Sequence, residues 1–231
     1  AIDTIADPEF VDMNLLAAPG LTKDKLTEHM INTCEDRADA LALIDLANVY
    51  KPSHEEYQAS KSSRIGTTPI QAANNLKDRR IDSSYGCTFY PWVQTRDEGS
   101  GQLVWIPPTV AMMGVLASSE RRSDVWFAPA GFNRGGLTDG AAGIPVLNVT
   151  ERLTSKNRLV IYLKKQISII SNKILFEQNV QATWNRFISL VEPFLSNVKT
   201  QFGITDYRLI LDESTTTPDL IDQNILYAKI M

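Results

Sequence analysis

Residues 12–46 read DMNLLAAPGLTKDKLTEHMINTCEDRADALALIDL, and this stretch decides the fold of the first part of the chain. The apolar run at residues 12–18 ends in a Pro-Gly pair, which is typical of a buried strand followed by a turn. Apolar residues then recur at helical spacing and predict a helix over residues 22–36, with Thr22 as its N-cap. A second apolar run at residues 40–46 completes a strand–helix–strand unit with a parallel strand pair.

Similar patterns extend the α/β arrangement to about residue 130. Polar residues 51–70 predict a loop, and the aromatic-rich residues that follow favour strands. The further predicted elements are a helix at 67–80 capped by Thr68, strands at 84–94, 102–107 and 125–128, a hairpin loop at 96–101, and a helix that begins at Pro108. Five glycines between residues 130 and 143 indicate a linker, which divides the chain into domains 1–143 and 144–231.

The second domain has a different pattern. One helical stripe runs from Leu159 to Ile170, and a longer one runs from Trp184 to Phe202 and ends at Gly203. Pro193 lies inside the longer stripe and predicts a kink or a restart of the helix. Short strands are predicted at residues 173–176, 207–211 and 225–231. The predicted fold class is therefore an α/β domain followed by a smaller α+β domain.

Composition restricts the function. The chain has 231 residues, a net charge of −4 and two cysteines, Cys34 and Cys87, which we expect to be reduced. No apolar run approaches the roughly 20 residues that cross a bilayer, so a membrane protein is not expected. A sequence pI near 5.3 argues against general affinity for nucleic acid.

Charge is unevenly distributed along the chain. Residues 1–140 include 13 basic and 19 acidic residues, whereas residues 141–231 include 10 basic and 8 acidic residues. A single acid, Glu151, accompanies six basic residues within residues 151–173, which are Arg152, Lys156, Arg158, Lys164, Lys165 and Lys173. This segment predicts either a surface for an acidic partner or an ordinary solvated helix face. Lys164 and Lys165 lie off the apolar stripe and should face outwards.

Few residues of the sequence form a pattern that is typical of a catalytic or metal-binding site. An Asp45–His54 pair with a serine, or a Cys87–His54 pair, is the only arrangement that suggests a hydrolase, and no nucleophile-elbow motif supplies the serine. Cys87 lies in an aromatic strand and is better explained as a core residue. The two histidines and two cysteines lack zinc spacing, and no phosphate-binding glycine pattern occurs. No metal or cofactor is expected, and a structural or binding role is favoured over an enzyme.

A set of short motifs keeps one order along nearly the whole chain. They are DMNLLAAPG (12–20), CEDRAD (34–39), ALID (42–45), YPW (90–92), WIPP (105–108), VWFAPAG (125–131), RG (134–135), NRLVIY (157–162), ILFE (174–177) with Asn179 and Trp184, LDE (211–213) and TPD (217–219). In this order they resemble the tail sheath proteins of contractile phage tails.

The resemblance implies a subtilisin-like α/β sheath domain without catalysis, followed by a C-terminal sheath domain that lies against the inner tail tube. It also implies stacked six-fold rings of sheath subunits in a helical array, attached to a baseplate, which contract to drive the tube through the host envelope during genome ejection. Such a subunit is a virion component assembled in the host cytoplasm. The basic residues of 151–173 are then expected to contact an acidic tube.

Family members extend beyond both ends of this sequence, so the chain is expected to be a fragment, and a monomeric one. The sheath of a tailocin or of another contractile injection system is an alternative, because the shared core is the same. A hydrolase with an α/β fold that uses Asp45 and His54 is the less favoured alternative.

Overall fold

A computed structural model describes residues 2–47, 69–97, 99–130, 134–137 and 149–231, with the side chains of residues 69, 94, 103 and 149–157 left undescribed. The chain divides into two compact units, unit 1 (Ala1–Ile161) and unit 2 (Tyr162–Met231). The elements of unit 1, after a 3-10 turn at Asp3–Ile5, are β1 (Leu15–Ala17), α1 (Asp24–Arg37), β2 (Leu41–Asp45), α2 (Pro69–Asp78), β3 (Gly86–Phe89), β4 (Val93–Arg96), β5 (Leu103–Ile106) and α3 (Pro108–Arg122).

The core of unit 1 is a parallel sheet in the order β1-β2-β3. The predicted strand–helix–strand unit is confirmed, with Leu15 opposite Leu41 in the parallel register. All five residues of β2 are buried, as expected for a central parallel strand covered on both faces.

Alternate residues of β2 point into two separate apolar clusters, because successive side chains of a strand face opposite ways. Leu41 and Leu43 pack with α3, whereas Ala42 and Ile44 pack with α1. Helices therefore cover both faces of this sheet. On the α1 side Gly86 is needed for close approach, since a Cβ there would lie 2.9 Å from Ile31 Cδ1.

Three predictions in unit 1 need correction. The N-cap of α1 is Lys23 rather than Thr22, and it makes no side-chain capping bond. The single strand predicted at residues 84–94 is two strands, because Pro91 has no N–H to continue a ladder. Residues 125–128 form a turn, in which the Phe127 amide donates to the carbonyl of Asp124 at 3.1 Å. By contrast, β4 and β5 form the predicted antiparallel hairpin.

A long helix, α4 (Val149–Asn172), crosses the boundary between the two units. The further elements are α5 (Gln181–Thr200), β6 (Leu209–Ile210), α6 (Pro218–Asp222) and β7 (Lys229–Ile230). The core of unit 2 forms where the stripes of α4 and α5 meet: Trp184, Phe187, Val191 and Leu195 are buried against residues that include Leu163. Both predicted helical stripes are thus confirmed.

The structure differs from the predicted details of unit 2. α5 continues through Pro193, so the predicted restart is wrong, while the alternative of a kink stays a prediction. Residues 173–176 form turns instead of a strand, with the Lys173 amide donating to the carbonyl of Ile170 at 3.1 Å. The last two strands pair antiparallel but contain only two residues each.

The end of α5 also differs from the prediction. Gly203 donates to the carbonyl of Val198 at 2.9 Å, and Phe202 donates to the carbonyl of Lys199 at 3.0 Å, which is the Schellman pattern. The left-handed position of this motif, where glycine is usual, is occupied by Phe202 with φ +61°. The helix therefore ends where predicted, but on a strained phenylalanine.

The predicted linker, residues 130–143, falls largely on residues 131–133 and 138–143, which lie outside the described residues, as does the proposed cap Thr68. The domain division 1–143 and 144–231 stays a prediction. The boundary between the two compact units falls between Ile161 and Tyr162, inside α4, because Leu159 and Ile161 are buried in unit 1 while Leu163 packs in unit 2.

Candidate functional site

The basic segment of residues 151–173 lies on α4 and the turn that follows it. Arg152 and Lys156 are in the first half of the helix, where side chains are not described. Lys164 and Lys173 are exposed, and Lys165 is half-buried. Since Lys164 and Lys165 follow the core residue Leu163 directly, helical geometry turns them away from the α5 side of α4.

Arg158 does not belong to an exposed basic surface. Its side chain is only 6% exposed, and Nη2 donates to Glu120 Oε2 of α3 at 2.8 Å. A buried guanidinium needs a charged partner, and Glu120 supplies it within unit 1. The structure therefore assigns Arg158 to holding the first half of α4 on unit 1, which corrects its predicted place at a partner surface.

Other charges of unit 2 form exposed pairs. Lys199 Nζ donates to Asp206 Oδ1 at 2.9 Å, and Arg186 pairs with Glu177. The bond from Lys199 lowers the pKa of Asp206, and the bond to Asp206 raises the pKa of Lys199. These pairs neutralise part of the surface of unit 2.

Unit 2 also exposes large apolar side chains, which the sequence patterns did not reveal. Phe176 is 98% exposed and Phe202 is 84% exposed, both with positive φ. Phe176 borders a groove of about 430 Å³ that is also lined by Leu175, Tyr227 and Ile230. Exposed apolar side chains grouped in this way mark surfaces that contact other molecules.

The acid of the predicted hydrolase pair accepts three structural hydrogen bonds. Asp45 is 1% exposed at the end of β2, and its carboxylate accepts bonds from three donors. These are the Gly20 amide at 2.9 Å, the Thr109 amide at 3.3 Å and the Thr109 hydroxyl at 2.7 Å. Gly20 turns with φ +77°, which brings its amide to the carboxylate. Asp45 thus ties the turn after β1 and the first turn of α3 to the sheet.

Among the residues that the structure describes, the remaining reactive groups do not form a catalytic arrangement. His54 lies outside the described residues, and the ring of His29 contacts Asp3 Oδ1 at 2.8 Å at the surface. Cys34 is buried, and desolvation raises the pKa of its thiol to about 12, so it is not a nucleophile at neutral pH. Within the described ranges there is no cluster of three or more residues of the kinds that hold a metal.

No described helix combines the length and the apolar character that crossing a membrane requires.

Comparison with curated proteins finds tail sheath proteins. No family model matches the chain. It is 22% identical to the tail sheath protein of Vibrio phage KVP40, with 99% of the chain and 41% of that protein aligned. It is 24% identical to the tail sheath protein of Enterobacteria phage T4 over 97% of the chain, and 23% identical to that of Salmonella phage ViI over 85%. The chain spans about 40% of the length of these relatives.

Solved structures agree on the fold. The sheath complex of the extracellular contractile injection system PVC, in its contracted state, matches the whole chain with a TM-score of 0.72 at 19% identity, and 70% of that protein is covered. A chain of the anti-feeding prophage baseplate matches 98% of this chain with a TM-score of 0.65 at 18% identity, and 67% of that chain is covered.

The resemblance that the ordered motifs carried is confirmed by these relatives, which align with nearly the whole chain. The mixed helix and strand fold is shared with a contractile sheath. Over 85% to 99% of its length, the chain is accordingly similar to the tail sheath proteins of three phages.

Proposed function

We propose that this chain is part of a structural subunit of a contractile tail sheath. The observation that carries the proposal is the alignment of nearly the whole chain with three phage tail sheath proteins, together with the shared fold of a contracted sheath. The subunit is then a virion component, assembled in the host cytoplasm, which needs no cofactor. Its unit 1 corresponds to the subtilisin-like sheath domain that the family resemblance implies, and unit 2 to the C-terminal sheath domain.

In this proposal the subunits form stacked six-fold rings around a tail tube, beginning at a baseplate. A heterologous interface that does not close on itself builds such a helical array. Contraction is a rigid-body movement of subunits between two packings, and it drives the tube through the host envelope. Units with well-packed cores suit this role, because they can change neighbours without changing their own fold. The exposed apolar side chains of unit 2 are suited to contacts between subunits.

The proposed tube contact consists of the basic residues Arg152, Lys156, Lys164, Lys165 and Lys173, which we expect to face an acidic tube. Arg158 is left out because its guanidinium is buried against Glu120. Each exposed ion pair contributes only roughly 0–1 kcal/mol. Repeated over many subunits, weak pairs can hold the sheath in register and still release together. The exposure of Lys164 and Lys173 supports this placement.

Electron microscopy with gold-labelled antibodies against this chain tests the main proposal. Label should follow the tail along its length and should follow the shortened sheath after contraction. Label restricted to the capsid or the tail tip would contradict it.

The tube contact is tested by joint reversal of charge, Lys164→Glu with Lys165→Glu. The reversed subunit should co-sediment less with tail tubes, and the deficit should shrink in high salt because screening removes such attractions. Reversal at Lys23 and Lys25, two exposed lysines of unit 1, is the matched control with the same change in net charge. An equal loss of co-sedimentation in both double variants would contradict a specific tube contact.

A sheath of a contractile injection system is the second candidate, favoured by the fold shared with the PVC sheath. Purified particles distinguish the two, since a phage carries packaged DNA in a capsid and an injection system does not.

The hydrolase alternative is disfavoured because three structural donors already occupy Asp45. Turnover of peptide or ester substrates that His54→Ala abolishes would revive it.

A further inference from the structure

The segment at residues 2–11, called the strap here, lies on the surface of unit 1 ahead of β1. None of its side chains is buried; only Ile2, Ile5 and Val11 are half-buried, and Phe10 is 69% exposed. Ile2 packs against the apolar cluster on the α1 side of the sheet, whereas Ile5, Phe10 and Val11 belong to no described core cluster, so burial of apolar surface supplies only part of what holds the strap. Hydrogen bonds supply the rest.

The strap closes most of its hydrogen bonds on itself. The Ile5 amide donates to Ile2 at 3.0 Å, and the Phe10 amide donates to Asp7 at 3.3 Å, both to carbonyl oxygens. The carboxylate of Asp7 also accepts the Glu9 amide at 2.9 Å. A segment bonded in this way can leave a surface without abandoning many of its own bonds.

A single side chain makes most of the described bonds between the strap and the rest of unit 1. Arg37, at the end of α1, donates from Nη1 to the carbonyls of Ile5 at 2.5 Å and Asp7 at 2.9 Å, and from Nη2 to the carbonyl of Val11 at 2.9 Å. Its side chain is fully buried. The exposed pair of His29 with Asp3 adds one further contact.

The charge of Arg37 is balanced from outside the strap. Nε and Nη2 donate to the two carboxylate oxygens of Asp39, both at 2.8 Å. All five guanidinium N–H groups are thereby used, two on Asp39 and three on the strap. Departure of the strap would expose three N–H groups to water, while the ion pair with Asp39 remains. No buried charge would lose its partner, so release avoids the largest penalty that attends breaking a buried ion pair.

We propose that Arg37 is a latch, and that the strap of residues 2–11 is a conformational device that undocks as one piece while the β1-β2-β3 sheet stays folded. The hinge lies between Val11 and Asn14, because the carbonyl of Asn14 is already fixed by the Leu41 amide at 3.0 Å. This latch gives a physical role to the CEDRAD motif at residues 34–39, which contains both Arg37 and Asp39. It operates whatever assembly the chain joins.

Proteolysis under native conditions tests the latch, because a protease needs an extended, undocked substrate. Glu9 lies between two carbonyls that Arg37 holds, whereas Glu28 lies within α1. A glutamate-specific protease should therefore cut after Glu9 by undocking and after Glu28 only by unfolding of unit 1. Mass spectrometry follows the two cuts in the full chain.

Arg37→Lys keeps the charge but cannot make the five bonds of a guanidinium. We expect cleavage after Glu9 to accelerate about tenfold, with little change after Glu28, since hydrogen bonds of this kind are worth roughly a factor of ten. Arg79→Lys is the matched control: Arg79 is also largely buried and bonds Thr27 Oγ1 at 2.6 Å, but it does not touch the strap. Unchanged cleavage after Glu9, or the same acceleration in Arg79→Lys, would overturn the proposal.

The wild-type chain supplies a second test, which does not require a variant to fold. Cleavage after Glu9 should depend weakly on urea at low concentrations, because undocking exposes little surface. Cleavage after Glu28 should rise steeply, with the slope of global unfolding. If both cuts share one steep dependence, the strap opens only when unit 1 unfolds, and the latch is rejected.

Discussion

In unit 1 the strand β2 is buried along its whole length between α1 and α3, whereas the core of unit 2 is formed by α4 and α5 beside strands of two residues each. The two units also differ in whether their charged side chains are buried or exposed. Unit 1 buries Arg37, Asp45 and Arg158 with charged or hydrogen-bonding partners, while the ion pairs described in unit 2 lie at the surface.

Both units expose large apolar side chains, among them Phe10 and Ile70 of unit 1, but among the described residues the aromatic ones with positive φ belong to unit 2. Phe176 and Phe202 of unit 2 are almost fully exposed and occupy left-handed backbone positions. Aromatic side chains held in this way add nothing to the stability of the isolated fold. Arg37, Asp45 and Arg158 therefore bond within unit 1, whereas Phe176 and Phe202 of unit 2 are exposed in the way that side chains at contact surfaces are.

The largest effect that this comparison predicts is at Asp45. Asp45→Asn turns one acceptor oxygen into an amide that faces N–H and O–H donors, so unit 1 should lose about 3 kcal/mol of unfolding free energy. Urea unfolding followed by fluorescence measures it. Asp36→Asn, at an exposed position of α1, is the matched control and should cost less than about 0.5 kcal/mol. A small loss at Asp45 would show that the buried network does not set the stability of unit 1.

A smaller effect is predicted for the pairing of Arg158 with Glu120. Arg158→Gln should cost about 1–2 kcal/mol, since Glu120 is 44% exposed and can recover water when it loses its partner. The matched change in unit 2, Arg186→Gln, removes a pair whose two side chains are 57% and 31% exposed and should cost less than about 0.5 kcal/mol. The urea midpoints of the two variants measure these losses of unfolding free energy. Equal losses would contradict the difference between the two units.

The sequence predicts an element of this fold correctly where the residues that determine the element lie close together along the chain. The strand–helix–strand unit of residues 12–46 is confirmed because period and turn residues agree within one short stretch. The stripe from Trp184 is confirmed for the same reason. The strand predicted at residues 125–128 is wrong because local turn bonds displaced a weak apolar signal.

The candidate site shows what pattern alone cannot supply. Charge counting placed Arg158 with the lysines, yet its environment depends on Glu120, 38 residues away in sequence. Exposure of Phe202 depends on the turn that ends α5, where glycine was expected one residue further on. Such properties arise from tertiary contacts and backbone conformation, which helical periodicity does not encode.

The exposed phenylalanines allow a test in which stability and assembly move in opposite directions. Phe202→Gly should stabilise unit 2 by about 0.5–1 kcal/mol, because φ +61° is strained for phenylalanine and free for glycine. Thermal unfolding measures the change, and Thr200→Gly, at the last residue of α5, should instead destabilise by less than about 0.5 kcal/mol. If Phe202 contacts a neighbouring subunit, the stabilised variant should nevertheless assemble less. A destabilised Phe202→Gly would mean that the ring packs within its own unit.

The smallest effect expected is a dependence on pH from the exposed pair of Lys199 and Asp206. The pKa of Asp206 lies below its ordinary value of 3.8, so the stabilisation is present above that pH and is lost as the pH falls through the lowered value. The pKa of Lys199 lies above 10.5, so the same stabilisation is lost again as the pH rises past it.

Asp206→Asn should therefore lower the urea midpoint slightly at pH 7 and leave it equal to that of the wild type well below pH 3.8. Added salt should remove the difference at pH 7, because both groups are exposed and screened. Asp222→Asn, which removes another acid of unit 2, controls for net charge. A large, salt-resistant loss at pH 7 would place this pair with the buried networks of unit 1, and the division of labour between the two units would no longer hold.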